Sequence, residues 1–526
     1  YDEAIPLLRK SVILSATSKA FNELGFCFQR KKRFDLAILY YEKALDKEQM
    51  HQFWENSIAV CNLGKCYHEL KEYQTALNNF DRALKIDPEY TIAFYWKLRT
   101  YIDLEKFDEV VKICPNHHEF PDNTDINLID DILAKKRMAL RQMEQYDVAL
   151  NCSDEMIAIN PSSENYVWKG WILQLSDRLQ DAKMSYDNAI KIDPENDQAY
   201  SYMAMTLMDE KNFEDAIDYY KKAWDISKDD EMILQQGKAI KKIGNREKSD
   251  EKFKEAEAVF DKILESRKCA GRAWLEKGNC NWNLKKYNVA EDCWLTASEI
   301  IPENAFVWLC LGDARHYNDS YNEALLFYEK SLLCDNNYTE ALQGKGSTYR
   351  MMKEWSKAID CYNEVLRLDN NFSRALYLKA FTYKNWEKYT DASNHFAEFI
   401  KKFPKDKMIV NAWAFKAYSE NYLKKYDNAL ESCKNALDLA TENTNKMTDK
   451  DTTRTLKIIF QEKGLALEGL EQYADAINCY KKFKPTDDNY KWTLERIIKC
   501  LGKLDKINEQ KVYRDKLNEF DSKKDN

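Results

Sequence analysis

The sequence repeats a short pattern of small and aromatic residues at a fixed spacing. A Gly or Ala is followed by an Ala twelve positions later and by an aromatic residue four positions after that, as in Gly64, Ala76 and Phe80. The Ala of this pattern recurs every 34 residues between Ala290 and Ala392. Because such a recurrence is typical of repeat architectures with periods of about 20–50 residues, it constrains the fold more than any other feature of the chain.

The spacing predicts a unit of two antiparallel helices. One pair of helices of about 14 residues cannot bury its apolar faces alone, so units must stack on their neighbours. Small residues on both helices let the backbones approach to about 8–10 Å, and the aromatic residue lies one turn further along the same face. Proline at unit ends, as at Pro194 and Pro302, would stop the second helix. We therefore expect a stack of helix pairs.

Composition agrees with a helical chain and disfavours several functional classes. Only 13 Gly and 9 Pro occur in 526 residues, which is too few turn residues for a β-sandwich or a doubly wound fold. The net charge of -8 disfavours a nucleic-acid-binding solenoid. The 14 Cys contain no CxxC pair, and this favours a reducing, intracellular compartment. No apolar run approaches the roughly 20 residues of a membrane helix, so we expect no membrane insertion.

Residues 273–304 resemble the tetratricopeptide repeat (TPR). They carry the family pattern at Trp274, Gly278, Tyr287, Ala290, Trp294, Ala297 and Pro302. The resemblance extends over about nine tenths of the chain. It implies an all-α, right-handed TPR superhelix, an α-solenoid of about 13 helix-turn-helix repeats with terminal capping helices. It also implies a protein that binds other proteins.

Departures from the pattern divide the predicted array. Residues 1–15 look like the second helix of a repeat whose first half would precede Tyr1, and residues 489–520 look like a polar capping pair. Two polar segments interrupt the repeats, and we expect the later one to be a mobile loop. The predicted order is a TPR block beginning mid-repeat, an inserted loop, two further TPR blocks, a polar loop, and a last repeat with its cap: 1–114, 115–129, 130–263, 264–443, 444–456 and 457–526.

Motifs for catalysis, metal binding or cofactor binding are weak. The sequence GKGST at 344–348 looks like part of a phosphate-binding loop, but Gly346 already fills the small position of a repeat. A Cys-x2-His-His run at 114–118 has a spacing that zinc can use, yet no second Cys/His pair lies nearby. The pattern places no Ser, Cys or Asp partner beside His68 or His316. We therefore expect no enzyme activity, no metal and no cofactor.

The family resemblance implies that first helices line a concave groove. Chaperone-binding members clamp a peptide C-terminus there with Lys, Asn and Arg at set positions, and no complete set occurs in this chain. The predicted groove instead carries three patches of aromatic residues, Met and Leu. The partner-binding candidates are Trp171, Met205 and Met208, then Trp282, Phe306 and Leu309, then Tyr377, Phe381 and Tyr418. Such side chains are common in peptide grooves, although the alternative is that they pack as core against the neighbouring repeat.

The leading hypothesis is a non-catalytic scaffold or adaptor within a large intracellular assembly. It would bind a peptide or helix of a partner in the groove and other proteins on its convex surface, as a subunit of a hetero-oligomeric complex. The alternative is a TPR arm that recruits substrates for an enzyme whose catalytic domain lies outside this segment. Long TPR arrays resemble subunits of ciliary, axonemal, anaphase-promoting and import assemblies, so we expect a cytoplasmic protein, and more specifically one associated with the cilium or cytoskeleton.

Overall fold

The computed structural model describes residues 1, 3–46, 53–115, 120, 124–266, 270–442 and 449–522. Within these ranges the chain forms 29 α-helices and no β-strand, so the predicted all-α class is confirmed. None of these helices is both long enough and apolar enough to cross a bilayer. Contacts divide the chain into two compact units, an N-terminal unit of Tyr1–Cys269 and a C-terminal unit of Ala270–Asn526.

The N-terminal unit consists of one helix followed by helix pairs. The leading helix is α1, Ala4–Leu14. The first helices of the pairs are α2 (Ser18–Arg30), α4 (Phe53–Glu69), α6 (Thr91–Asp103), α8 (Ile126–Gln142), α10 (Ser163–Leu175), α12 (Asp197–Asp209) and α14 (Asp230–Glu247). The second helices are α3 (Phe34–Asp46), α5 (Tyr73–Ile86), α7 (Phe107–Ile113), α9 (Tyr146–Ile159), α11 (Leu179–Ile192), α13 (Phe213–Ser227) and α15 (Asp250–Ser266).

The C-terminal unit consists of helix pairs alone. Its first helices are α16 (Ala270–Asn283), α18 (Ala305–Tyr317), α20 (Thr339–Met351), α22 (Ser373–Asn385), α24 (Ile409–Tyr422), α26 (Asp449–Gly469) and α28 (Tyr490–Lys503). Its second helices are α17 (Tyr287–Ile300), α19 (Tyr321–Cys334), α21 (Trp355–Leu368), α23 (Tyr389–Lys402), α25 (Tyr426–Glu442), α27 (Tyr473–Tyr480) and α29 (Ile507–Ser522).

A tight turn joins the two helices of a pair. Its central residue has a left-handed backbone, with φ of 62° at Lys353 and 60° at Glu387. In the first of these turns the Lys353 amide donates to the Arg350 carbonyl oxygen at 3.1 Å, and the Glu354 amide donates to the Tyr349 carbonyl oxygen at 2.9 Å. These bonds close the first helix and reverse the chain. Charged residues rather than glycine occupy this position, so charged side chains lie at the turns.

The small residue of the first helix and the aromatic residue of the second are in direct contact. A β-carbon on Gly312 would come within 2.6 Å of the Tyr328 ring, and one on Gly346 would come within 2.8 Å of Tyr362. Both tyrosine rings are fully buried. The pattern predicted that the small residue brings two helices together. The structure adds that the aromatic ring lies directly on the glycine, and this assigns Gly346 to helix packing rather than to a phosphate loop.

First helices form one layer of each unit and second helices form the other. In the C-terminal unit α18 contacts α20, α20 contacts α22, α22 contacts α24, and α24 contacts α26. Each second helix packs mainly on the first helices before and after it. Ala290, Ala324 and Ala358 lie on second helices and are all fully buried, as close helix crossings require. We call the surface formed by the first helices the first-helix face.

The inserted segment predicted over 115–129 is shorter than expected. Residues 126–129 are the first turn of α8 rather than part of a loop. The Asp125 side chain caps this helix by accepting from the Asn127 amide at 2.9 Å. Both α6 and α7 pack against α8. The two histidines of the zinc hypothesis, at 117 and 118, lie outside the described residues.

The polar loop predicted over 444–456 is also partly helical. Residues 449–456 form the start of α26. Thr455 is 5% exposed, and its hydroxyl donates to Asn411 Oδ1 at 2.9 Å. The polar composition suggested a loop, but a neighbouring helix supplies the hydrogen-bond partner that lets this threonine be buried. Residues 443–448 lie outside the described ranges.

Candidate protein-binding face

The first predicted patch forms on α8, α10 and α12 of the N-terminal unit. The half-buried Trp171 ring lies 5.0 Å from the Trp168 ring, measured between centroids. The Arg141 guanidinium lies 4.4 Å from the centroid of the Trp171 ring. Met205 is 42% exposed, whereas Met208 packs against the hydrophobic core. Met205 is therefore exposed and Trp171 is partly exposed, whereas Met208 mainly contributes to core packing.

The second predicted patch separates into core and surface. Leu309 is only 7% exposed and packs in a core cluster with Tyr328, so its prediction as a ligand contact is wrong. Trp282 is half-buried, and the centroids of three aromatic rings, those of Tyr287, Trp294 and Tyr317, lie 4.8–5.6 Å from its own. Phe306 is 40% exposed. Of these three side chains, Phe306 is the most exposed.

The third predicted patch gathers around a lysine that the sequence analysis did not select. The Lys384 ammonium lies 4.8 Å from the Phe381 ring, 5.1 Å from Phe415 and 4.6 Å from Tyr418. Tyr377 stacks on Phe381 with a centroid distance of 6.3 Å. We call Phe381, Lys384, Phe415 and Tyr418 the Lys384 cluster. Burial lowers the pKa of Lys384, and the negative charge of Glu462 opposes this shift.

A cavity of about 470 Å³ opens beside this cluster, between α24, α26 and α28. Its walls include Tyr418, Tyr422 and Trp492, and its polar lining includes Asn421 and Glu462. We call it the Glu462 pocket. Glu462 is 1% exposed and accepts from Asn421 Nδ2 at 2.9 Å. Burial raises the pKa of Glu462 to about 7, although the Asn421 hydrogen bond and the Lys384 charge both oppose the rise.

The far wall of the Glu462 pocket is an ion cluster around Glu468. Glu468 is 8% exposed and lies 2.8 Å from both Arg496 and Lys499. The Tyr480 hydroxyl also donates to Glu468, at 3.2 Å. Two cations and a hydroxyl thus surround one carboxylate, which fixes this wall. Within the described ranges, Asn421 Oδ1 of the pocket is buried and has no hydrogen-bond partner, and the same holds for Glu468 Oε1 and Arg496 Nε.

Both histidines considered in the sequence analysis link neighbouring repeats. His68 Nδ1 lies 3.0 Å from the Thr100 hydroxyl, and its Nε2 lies 3.2 Å from Asp103. His316 lies 2.8 Å from the Thr348 hydroxyl. The expectation that His68 has no acidic partner is therefore wrong. Because Thr100 is fully buried and donates its hydroxyl to a backbone carbonyl, this group holds two repeats together rather than presenting a nucleophile.

Sequence reasoning missed the polar residues that organise the third patch. Lys384 follows Phe381 by three positions, so both lie on one helix face, and this spacing could have identified it. Glu462 and Asn421 were harder to find because they lie on different helices. Their contact depends on how α24 and α26 pack, which no local pattern reveals.

Comparisons with known proteins agree with this architecture. Tetratricopeptide repeat family models match residues 18–46, 57–90, 163–196 and 198–230. A TPR repeat-containing protein of Methanocaldococcus jannaschii is 22% identical over 358 residues, which cover 64% of this chain and 61% of the relative. Outer dynein arm-docking complex subunit 4 of Danio rerio is 27% identical over 225 residues, which cover 39% of this chain and 43% of the relative. The chain thus spans under two thirds of either relative.

One similar solved structure is described as the APC/C hetero-tetramer Cut9-Hcn1. It has a TM-score of 0.42 and 16% identity, and the match covers 92% of this chain and 89% of that one. The family assignment follows from the four matched repeats together with the recurring helix pairs and their glycine–aromatic contacts. The chain is a tetratricopeptide repeat protein.

Proposed function

We propose that this chain is a non-catalytic scaffold that binds a peptide or helix of a partner protein on the first-helix face of its C-terminal unit. The observation that supports this most is the Lys384 cluster beside the Glu462 pocket. Aromatic walls with a few fixed polar groups are typical of surfaces that anchor a peptide side chain. Tyr418 belongs to both features, so it would be the central anchor.

The assembly in which the scaffold acts is part of the same proposal. The zebrafish relative is named as a subunit of a dynein arm-docking complex, and this supports a place in a hetero-oligomeric, cytoplasmic complex, with the cilium as the specific candidate. Trp171 and Met205 of the N-terminal unit and Phe306 of the C-terminal unit would bind further segments of partners. Cross-linking mass spectrometry of the native complex would identify those partners.

Selection from a random peptide library on the full chain tests the binding proposal. Tyr418→Ala should weaken the best selected peptide by about thirtyfold or more, because truncation of a central aromatic anchor typically costs about 2 kcal/mol. Leu333→Ala is the control, since Leu333 on α19 is 86% exposed and does not line the Glu462 pocket. An unchanged peptide affinity combined with a lower unfolding midpoint for Tyr418→Ala would show that Tyr418 is only core and would contradict the proposal.

A further inference from the structure

A second cavity of the C-terminal unit, of about 640 Å³, has a different character from the Glu462 pocket. Its lining includes Lys353, Trp355, Lys384, Trp386, Tyr389 and Tyr418. We call it the Lys353 pocket. It lies where two neighbouring repeats turn from first to second helix. The 34-residue repeat places Lys353 and Glu387 at equivalent turn positions, so the two turns lie side by side.

Positive charge in this pocket is only partly compensated. Neither Lys353 nor Lys384 forms an ion pair with any residue in the described part of the chain, and the single hydrogen bond of the Lys384 ammonium is a long one of 3.4 Å to Asn385 Oδ1. The acid in the lining, Glu387, is exposed at the rim. The Lys388 ammonium lies 3.5 Å from the Trp386 centroid and adds a further cation beside the pocket. An anion entering here would meet an excess of positive charge.

Lys384 gives the strongest reason for an anionic ligand. Three aromatic rings surround its ammonium and remove water that would otherwise solvate it. Desolvation lowers the pKa of Lys384, and the negative charge of Glu462 offsets this effect only in part. The acid that opposes this shift, Glu462, lines the other cavity. A carboxylate at Lys384 would form charge-assisted hydrogen bonds in a region of low dielectric, where such bonds are strong.

The apolar lining determines what should flank the carboxylate. Trp355, Trp386 and Tyr389 are all partly buried and present ring surface to the cavity. Aromatic faces and edges gain from contact with apolar or aromatic side chains. A free inorganic anion would leave this surface unused, and a basic side chain would be repelled by Lys353 and Lys384. The occupant that uses both parts of the lining is an acidic residue beside an apolar one.

We infer that the Lys353 pocket binds an Asp or Glu side chain of a partner polypeptide, with an adjacent aromatic or aliphatic side chain against the tryptophans. This inference rests on the proposed scaffold function and specifies the chemistry of its partner. The site differs from a peptide C-terminus clamp, because Lys384 lies near the end of α22 and Lys353 lies in the turn after α20 of the preceding repeat.

Parallel selections of random dodecapeptides on the full chain and on variants test this inference. Peptides selected by the wild-type chain should be enriched in Asp or Glu next to an aromatic or aliphatic residue. Replacing that acid by Gln or Asn in the best peptide should weaken binding by about tenfold or more in fluorescence anisotropy. Lys384→Met should cause a similar loss, and Lys384→Arg should restore most of the affinity.

Lys401→Met is the matched control, because it removes the same charge from the exposed surface of a second helix. It should leave peptide affinity unchanged, and circular dichroism should show equal helicity for all variants. Selected peptides that lose affinity in Tyr418→Ala but contain no enriched acid would overturn this inference and leave the scaffold function intact. Enrichment of basic or purely apolar peptides would overturn it as well. Failure to select any peptide would count against both proposals.

Discussion

At the scale of single residues, the glycine–aromatic contact sets how closely the two helices of a repeat approach. Tyr328 lies on Gly312, and its hydroxyl donates to Asp313 Oδ1 at 2.7 Å. The ring is thus held at both ends, by the glycine beneath it and by an acceptor at its tip. Any side chain on the glycine must displace a ring that has little room to move.

Gly312→Ala should destabilise the chain despite the better helix propensity of alanine. The new β-carbon would lie 2.6 Å from the Tyr328 ring, so overpacking should cost about 1–3 kcal/mol in urea unfolding. Gly502→Ala is the control, since its β-carbon would meet only the flexible end of Gln510. That variant should be neutral or slightly stabilising. Equal stability losses at both positions would contradict the packing explanation.

A second single-residue effect concerns the buried acid Glu462. Its pKa is raised in the folded chain to about 7, so between about pH 4.5 and 7 the folded state keeps a proton that the unfolded state has lost. The stability contribution of this group therefore decreases as pH rises through that interval and stays low above it. The cause is the loss of solvation of a carboxylate that is 1% exposed.

Glu462→Gln should accordingly stabilise the chain at high pH alone. We expect a gain of about 1–3 kcal/mol at pH 8 and almost none at pH 5, because glutamine stays neutral and can still accept from Asn421. Urea unfolding at both values measures this difference. Glu431→Gln, on the exposed surface of α25, is the control and should show no such dependence. A gain that is equal at pH 5 and pH 8 would mean that the acid does not titrate in this interval.

At the scale of helices, the second patch shows how one face divides between core and surface. Trp282 near the end of α16 is enclosed by the rings of Tyr287, Trp294 and Tyr317. Phe306 at the start of α18 is 40% exposed, and its amide donates to the Asn304 cap at 3.0 Å. Residues at groove positions of adjacent helices can therefore have opposite roles.

The pair Trp282→Ala and Phe306→Ala separates these roles. Trp282→Ala should lower the free energy of unfolding by about 2–4 kcal/mol through lost ring contacts, whereas Phe306→Ala should cost less than about 1 kcal/mol. If a partner binds this patch, Phe306→Ala should weaken it per folded molecule. Thermal unfolding and affinity measured on the same preparations distinguish the two effects. An unchanged unfolding midpoint for Trp282→Ala would contradict its assignment to the core.

Helix positions could be predicted from the sequence because each helix pair repeats one local packing solution. The small residue, the Ala and the aromatic residue identify the helix pairs that pack through these three positions. Prediction failed where polar residues are satisfied by another helix, as Thr455 is by Asn411, since composition alone suggested a loop. It also failed for Leu309, because groove positions do not reveal which side chains the next repeat covers.

The candidate site could be predicted only in part, for a related reason. Aromatic residues at groove positions marked Tyr377, Phe381 and Tyr418 correctly as neighbours in space. The Glu462 carboxyl and its Asn421 partner lie 41 residues apart in the sequence and on different helices. Their ionisation depends on burial, which requires the packed structure.

At the scale of the whole molecule, a substitution that destabilises one repeat should affect only the adjacent repeats. Each helix in the C-terminal unit contacts mainly the helices one or two places away along the chain. Stability is therefore close to a sum of repeat and interface contributions rather than one cooperative total. A substitution in one repeat should have a limited range along the sequence.

Ala358→Leu measures that range. Ala358 on α21 is fully buried, so the larger side chain should cost about 1–3 kcal/mol and force its own repeat and the adjacent ones apart. Hydrogen exchange should show lost protection over roughly residues 305–406 and unchanged protection in the N-terminal unit. Asp360→Leu, an exposed position on the same helix, is the control and should leave exchange unaltered. Loss of protection throughout both units would show that the chain unfolds as one cooperative body, and unchanged protection near α21 would show that Ala358 does not lie at a close helix crossing.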